Sequence, residues 1–316
     1  MCRVILLLLL VVVLPACGSS ETNGFDLSDT SLPRNEIYQG GPPRDGIPAI
    51  DRPRFITPRE AVWLHPDDRV LGLELDGDAR AYPVQILDYH EIVNDRIGGA
   101  SVVVSYCPLC GTGMAFRLRP GHDSEGFGVS GLLYNSDLLL YDRASASLWS
   151  QILARAVSGP RKGERLAPIP LEYTTWEDWR ERHPDTRVLS RDTGYRRDYT
   201  RSPYPGYASD KGLYFPVSRL DRRYHPKTRV LGLVIGGDAR VYPFDELSRV
   251  ATPFLDRVGG QAIQVFFDAR NGNARVRDAA GRPLAAVSGY WFAWMAFHPD
   301  SRVFRAKEAG SVGAVE

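Results

Sequence analysis

Short apolar runs broken by turn residues dominate this chain, a pattern that predicts strands and short helices. Val70-Leu71-Gly72-Leu73, a Gly77-Asp78 turn and Ala79-Arg80-Ala81-Tyr82-Pro83 predict a hairpin. A second hairpin is expected to reverse at Ile97-Gly98-Gly99 and return along Ser101 to Tyr106, a valine-rich run suited to a buried strand. Later, Thr175 is placed to cap a short helix: Glu177 and Asp178 meet its positive end, and Trp176, Trp179 and His183 share one face.

The same pattern then returns. Arg69-Val70-Leu71-Gly72-Leu73, Gly77-Asp78-Ala79-Arg80 and Tyr82-Pro83 recur 160 positions later as Arg229-Val230-Leu231-Gly232-Leu233, Gly237-Asp238-Ala239-Arg240 and Tyr242-Pro243. Asp95 to Gly99 is echoed by Asp256 to Gly260, and Trp176, Trp179 and His183 by Trp291, Trp294 and His298. Between matching positions, Cys107 to Gly163 spans 43 residues more than Asp268 to Gly281. This insert holds an apolar run at Phe127 to Leu133, a turn at Asn135-Ser136-Asp137 and Leu138 to Arg143, and so predicts an additional hairpin. The expectation is an α+β, β-rich fold: two related α/β-mixed repeat units, 54–200 and 201–316, with an extra hairpin inserted in the first.

The amino-terminal end differs. Arg3 precedes an apolar run from Val4 to Leu14, which at 11 residues is shorter than a spanning helix needs and predicts a signal peptide over 1–16. Leu14-Pro15-Ala16-Cys17 resembles the lipobox of bacterial lipoproteins, with Pro15 an unusual occupant. The resemblance implies lipidation of Cys17, a membrane partner through that anchor, and a cell-envelope location, on the periplasmic side of the outer membrane where a cell has one. An ordinary secretory signal with an incidental cysteine is the other reading. The stretch 17–53 is rich in Pro, Gly and charge without periodicity, and is expected to be a flexible tether.

Charge narrows the partners. The chain has 39 basic and 38 acidic residues, so loss of Arg3 with the leader leaves a balanced domain with no general reason to bind nucleic acid. The sequence names no protein partner. It has 4 cysteines, and with Cys2 and Cys17 assigned to the leader and the anchor, Cys107 and Cys110 are the thiols of the folded part.

Cys107-Pro108-Leu109-Cys110-Gly111 follows a strand, and the glycines after it argue against the helix N-terminus that activates a thioredoxin-like dithiol. The motif resembles the metal knuckle of rubredoxins and zinc ribbons, although no second pair completes four sulfur ligands. Pairing around the Gly98-Gly99 turn sets His90 opposite a residue between Ser105 and Cys107, so that His90, Cys107 and Cys110 are the expected ligands of copper or zinc. The second copy has Asp268 and Asn271 at the cysteine positions and Val250 or Ala251 at that of His90, so all three candidates vanish together. A structural disulfide and thiol–disulfide exchange are the alternatives, and a lone histidine can be a satisfied structural one. Tyr106, Asp137, Asp142 and Arg143 are possible additional site residues. Gly126-x-Gly128-x-x-Gly131 lacks the strand-then-helix context of a dinucleotide site, so no nucleotide cofactor is expected. Whether the protein is an enzyme is left open.

Over about residues 55 to 305 the chain resembles the uncharacterised bacterial family called domain of unknown function 3179. The resemblance rests on Tyr82-Pro83, His90 to Asp95, Tyr106 to Gly111, Gly131-Leu132-Leu133, Asn135-Ser136-Asp137, Tyr141-Asp142-Arg143 and Leu148 to Gln151. It implies frequent export and carries no activity.

Overall fold

The computed structural model describes residues 21–119 and 126–307. The predicted leader and the predicted lipidation site, Cys17, lie outside the described residues. The fold is β-rich with few helices, its strands divided among several sheets. Among the described residues no helix is long and apolar enough to cross a membrane.

The hairpin read from the polarity pattern pairs Arg69–Leu75 with Asp78–Pro83. Asp78 already pairs with Leu75, so the reversal sits one residue earlier than expected, at Asp76-Gly77, with φ of 54° and 83°. Two positive φ values make the tight turn whose twist suits flanking strands. Arg229–Ile235 and Asp238–Pro243 form a hairpin of the same register, Val230↔Pro243 standing where the first has Val70↔Pro83. In each, the indole of a following helix lies flat on the middle glycine. A Cβ on Gly72 would come within 2.2 Å of Trp179, and one on Gly232 within 2.3 Å of Trp294. The first of these helices, Trp176–Arg182, is capped as expected, the Thr175 hydroxyl accepting from the Asp178 N–H at 3.3 Å.

Strands from both ends of the chain meet in one sheet, ordered Arg302–Val303, Asp238–Pro243, Arg229–Ile235, Val287–Tyr290, Thr112–Arg117, Ala100–Cys107, Ile92–Ile97. Its seam is thin, a Ser288↔Gly113 pairing. Because strand side chains alternate between faces, Ala100–Cys107 feeds two cores. Val102, Val104 and Tyr106 pack with Leu71 and Tyr82; Val103 and Cys107 pack with Phe116, Phe127 and Trp149.

The second of these cores is closed by a sheet ordered Arg155–Ser158, Leu148–Ser150, Asp137–Asp142, Phe127–Tyr134, Ile37–Gln39. Its middle strands are the inserted hairpin. Its last strand corrects the reading of 17–53 as a flexible tether, because from Phe25 onward that segment belongs to the fold. Phe25 and Leu27 are each 2% exposed and pack on Leu139 and Tyr141, Ile37–Gln39 pairs with the inserted hairpin, and Ile50 bridges Val93. A few isolated apolar anchors without period are enough to bury a loop-rich segment, and periodicity does not register them.

Candidate functional site

The cysteines stand at a strand reversal. Cys107 ends Ala100–Cys107 and pairs with Thr112, the first residue of the next strand, so residues 108–111 form the loop and no helix follows. Gly111 makes the turn possible: its φ is +59°, and a Cβ there would stand 2.7 Å from the Arg229 guanidinium. The loop is held from outside, Arg229 donating to the Gly111 carbonyl at 2.7 Å and the Tyr290 N–H to that of Cys110 at 2.8 Å.

Asp137 reaches the same point from the inserted hairpin. Asn135 and Ser136, with φ of 51° and 62°, make a two-residue reversal that sets Asp137 at the head of Asp137–Asp142. This tip is buried and clamped, the Ser136 hydroxyl donating to the Phe215 carbonyl and the Ser218 N–H to the Asn135 side chain, each at 2.7 Å. Ligand atoms of Cys107, Cys110 and Asp137 all lie within 4.8 Å of one another. All three residues are buried, and both cysteines are free thiols. Around them the Ile152 N–H donates to Asp137 at 3.2 Å, the Thr112 hydroxyl to Gln151 at 2.7 Å, and Gln151 to the Ser105 hydroxyl at 2.8 Å.

His90 is not brought into this group, which corrects the His90-Cys107-Cys110 expectation. The register is as anticipated, with Ile92 opposite Ser105, but Glu91 takes a left-handed φ of 57° and ends the alternation one residue short of His90. Both imidazole nitrogens are engaged elsewhere, Nδ1 with the Pro48 carbonyl at 2.8 Å and Nε2 with the Tyr199 hydroxyl at 2.6 Å. Burial lowers its pKa, so it is a neutral structural residue. Glu91 lies near enough for its charge to raise the Cys107 thiol, but it is not among the converging ligand atoms. Its carboxyl is buried and is pushed up to about 8 by that burial, with Asp137 and Asp88 adding repulsion.

The electrostatics share one sign. Burial pushes the Asp137 carboxyl up to about 7 against the hydrogen bonds it accepts. Burial also raises the Cys107 thiol, with repulsion from Asp137 and Glu91 added, and raises that of Cys110 well above the ordinary range. All four acidic groups are buried, and ionisation of Asp137 opposes that of Glu91 and of both thiols.

The other expected site residues are placed elsewhere. Tyr106 alternates with Cys107 and faces the opposite core. Asp142 accepts from the Trp149 indole and the Ser145 N–H, each at 2.8 Å, and braces a turn. Arg143 pairs with Asp51 at 2.7 Å. Glu91, Thr112, Gln151 and Tyr207 went unforeseen. Glu91 and Gln151 stand inside the motifs at His90 to Asp95 and Leu148 to Gln151, whereas no pattern marks Tyr207. Tyr207 is 3% exposed, packs in the core that holds both cysteines, and has no partner for its buried hydroxyl.

A family model described as Protein of unknown function (DUF3179) matches residues 44–301. No curated protein and no solved structure matches the chain. With most of its length covered by that match, the knuckle, the inserted hairpin and both tryptophan helices included, the chain belongs to this family of unknown function.

Proposed function

We propose that Cys107, Cys110 and Asp137 bind a thiophilic metal ion, with zinc preferred over copper. One observation carries the reading: two sulfurs and a carboxylate oxygen, all on buried residues, converge within 4.8 Å. Two thiolates suit either metal, but replacing the expected imidazole by a carboxylate moves the donor set toward zinc, which accepts sulfur and oxygen together. A dication would also neutralise acids that otherwise hold one another protonated. Glu91 and the orphaned Tyr207 hydroxyl leave polar capacity for a fourth ligand or a metal-bound water. Thiol–disulfide exchange is less well supported, since an attacking thiol needs access and a lowered pKa, and here both thiols are buried and raised.

The wider reading has two parts. The leader pattern and Cys17 support an envelope lipoprotein anchored to a membrane, tested by lipid labelling that a Cys17→Ser chain should lose. The repeated hairpin register and the two glycine–tryptophan contacts support descent of both halves from one unit. So does a reciprocal clamp: Arg229 binds the Gly111 carbonyl, and its counterpart Arg69 binds the Asn271 carbonyl in the loop equivalent to the knuckle.

Metal analysis tests the central claim. Protein purified without chelator should carry about one zinc per chain, and loading with cobalt should give thiolate-to-metal charge-transfer bands that Cys107→Ser and Cys110→Ser each abolish. Folded protein that takes up neither metal after reduction would end the proposal.

A further inference from the structure

Residues 152–155 and 165–171, the strand Thr112–Arg117 and the second half line a half-open cavity of about 630 Å³, within the range of small-molecule pockets. Met114, Ile152, Leu166, Ile169, Val234 and Trp294 give it an apolar wall. Among the described residues no carboxylate lines it. Its charged residues are Arg155 and Arg165, which face each other across an antiparallel bridge. Directly opposed side chains share a face, so two like charges stand side by side where repulsion is greatest. Among the described residues neither guanidinium has a hydrogen bond or an ion pair. The neighbouring Glu164 lies 3.7 Å from Arg161 instead. The remaining titratable lining residue, His298, lies tilted against Trp294 with ring centroids 4.3 Å apart and is pushed down to about 4 by burial, so it is neutral.

Arg165 is exposed and Arg155 half-buried, so the pair stands at the mouth of the apolar cavity, an arrangement complementary to a ligand that is negative at one end and apolar at the other. Guanidinium groups bind carboxylate and phosphate oxygens through paired N–H donors, and they do so best where water is partly excluded. We propose that this cavity binds a single-chain amphiphile with an anionic head, its tail on the apolar wall and its carboxylate or phosphate held between Arg155 and Arg165. The proposed contacts use none of Cys107, Cys110 or Asp137, although the cavity adjoins that site through Ile152, whose N–H donates to Asp137.

Calorimetric titration of the purified full chain with dodecanoate, dodecyl phosphate, dodecanol, dodecyltrimethylammonium and acetate, all below micelle formation, tests this. One equivalent of an anionic amphiphile should bind, while dodecanol and acetate bind at least roughly tenfold more weakly and the cation not at all. Stronger binding of dodecanoate would identify a fatty-acid-like ligand, and stronger binding of dodecyl phosphate a lipid-phosphate-like one. Arg155→Gln and Arg165→Gln should each lower affinity roughly tenfold without lowering the melting temperature, since each removes half of a like-charge pair, and lysine should restore part of the loss. Ala286→Phe, which fills the cavity and keeps both arginines, should abolish binding. Equal affinity for dodecanol, unchanged affinity in the double glutamine variant, or no binding of either anion would overturn the proposal.

Discussion

Asp137→Asn should stabilise the metal-free protein and weaken its hold on metal, and the two effects have a common origin. Asp137 is wholly buried, and its carboxyl is pushed from 3.8 up to about 7, chiefly by that burial. The unfolded chain therefore releases this proton near pH 4 and the folded chain near pH 7. Between those values the native state holds more protons, so stability falls as pH rises, and above about pH 7 the full penalty remains. At ~1.4 kcal/mol per pKa unit, ionised Asp137 costs the metal-free fold on the order of 4 kcal/mol at pH 8 and little at pH 4. Asparagine keeps the size of the side chain and an oxygen for the Ile152 N–H but carries no charge. Urea unfolding with chelator present should show the variant gaining several kcal/mol over the wild type at pH 8 and close to nothing at pH 4. The difference between the proteins cancels groups that titrate in both, such as Asp88. With zinc the order should invert, because lost outer-shell partners alone cost roughly 10–100-fold in metal affinity and a direct ligand costs at least as much. Equal destabilisation by Asp137→Asn at both pH values, or unaltered zinc affinity, would refute the reasoning.

His90→Gln should lower stability by about 1–3 kcal/mol through loss of its bonds to Pro48 and Tyr199, yet leave zinc stoichiometry intact, as melting and metal titration can check. Cys107 and Cys110 should react with a thiol reagent far more slowly in the native metal-free protein at pH 8 than in urea, because burial opposes both access and ionisation; a native rate equal to the unfolded one would place them at the surface. Gly72→Ala should destabilise by more than ~2 kcal/mol, since its Cβ would overlap the Trp179 ring, and an unchanged urea midpoint would show that the helix can retreat.

Much of the frame was legible because its determinants are local. Turn residues with positive φ, valine-rich strands and a Thr175 cap act within a few positions of themselves, and the inserted hairpin carries its own reversal at Asn135-Ser136. What failed depended on single backbone angles or on distant packing. The pairing of Ile92 with Ser105 was recoverable by counting, but the left-handed turn at Glu91, which no β-propensity marks, ends the alternation, and His90 bonds to Pro48 and Tyr199 instead of reaching the sulfurs. Phe25 and Leu27 gave no sign of burial, because the surface that receives them is made by residues more than a hundred positions later. Asp137 could be suspected as a polar residue beside an apolar strand, but its approach to Cys107 is a contact between sheets, for which the sequence carries no spacing rule.

The second half shows what the site requires beyond a pair of residues on a loop. Its Asp268 and Asn271 occupy the knuckle positions, and Asp268 satisfies itself locally, accepting from the Arg270 N–H at 2.9 Å and from the Asn271 side chain at 2.6 Å. Asn271 in turn takes the Thr175 hydroxyl at 2.7 Å. This loop is therefore a closed docking element between the halves. In the first half the corresponding loop keeps its external clamp from Arg229, but its side chains face the insert, which supplies Asp137, Gln151 and the Ile152 N–H. A loop that only joins the halves needs no insert; one that holds two thiols and a carboxylate away from water needs walls, and residues 127–158 build them. The hairpin and the cysteines thus serve one site, and the loop at 268–271, which lacks the thiols, is satisfied without such walls.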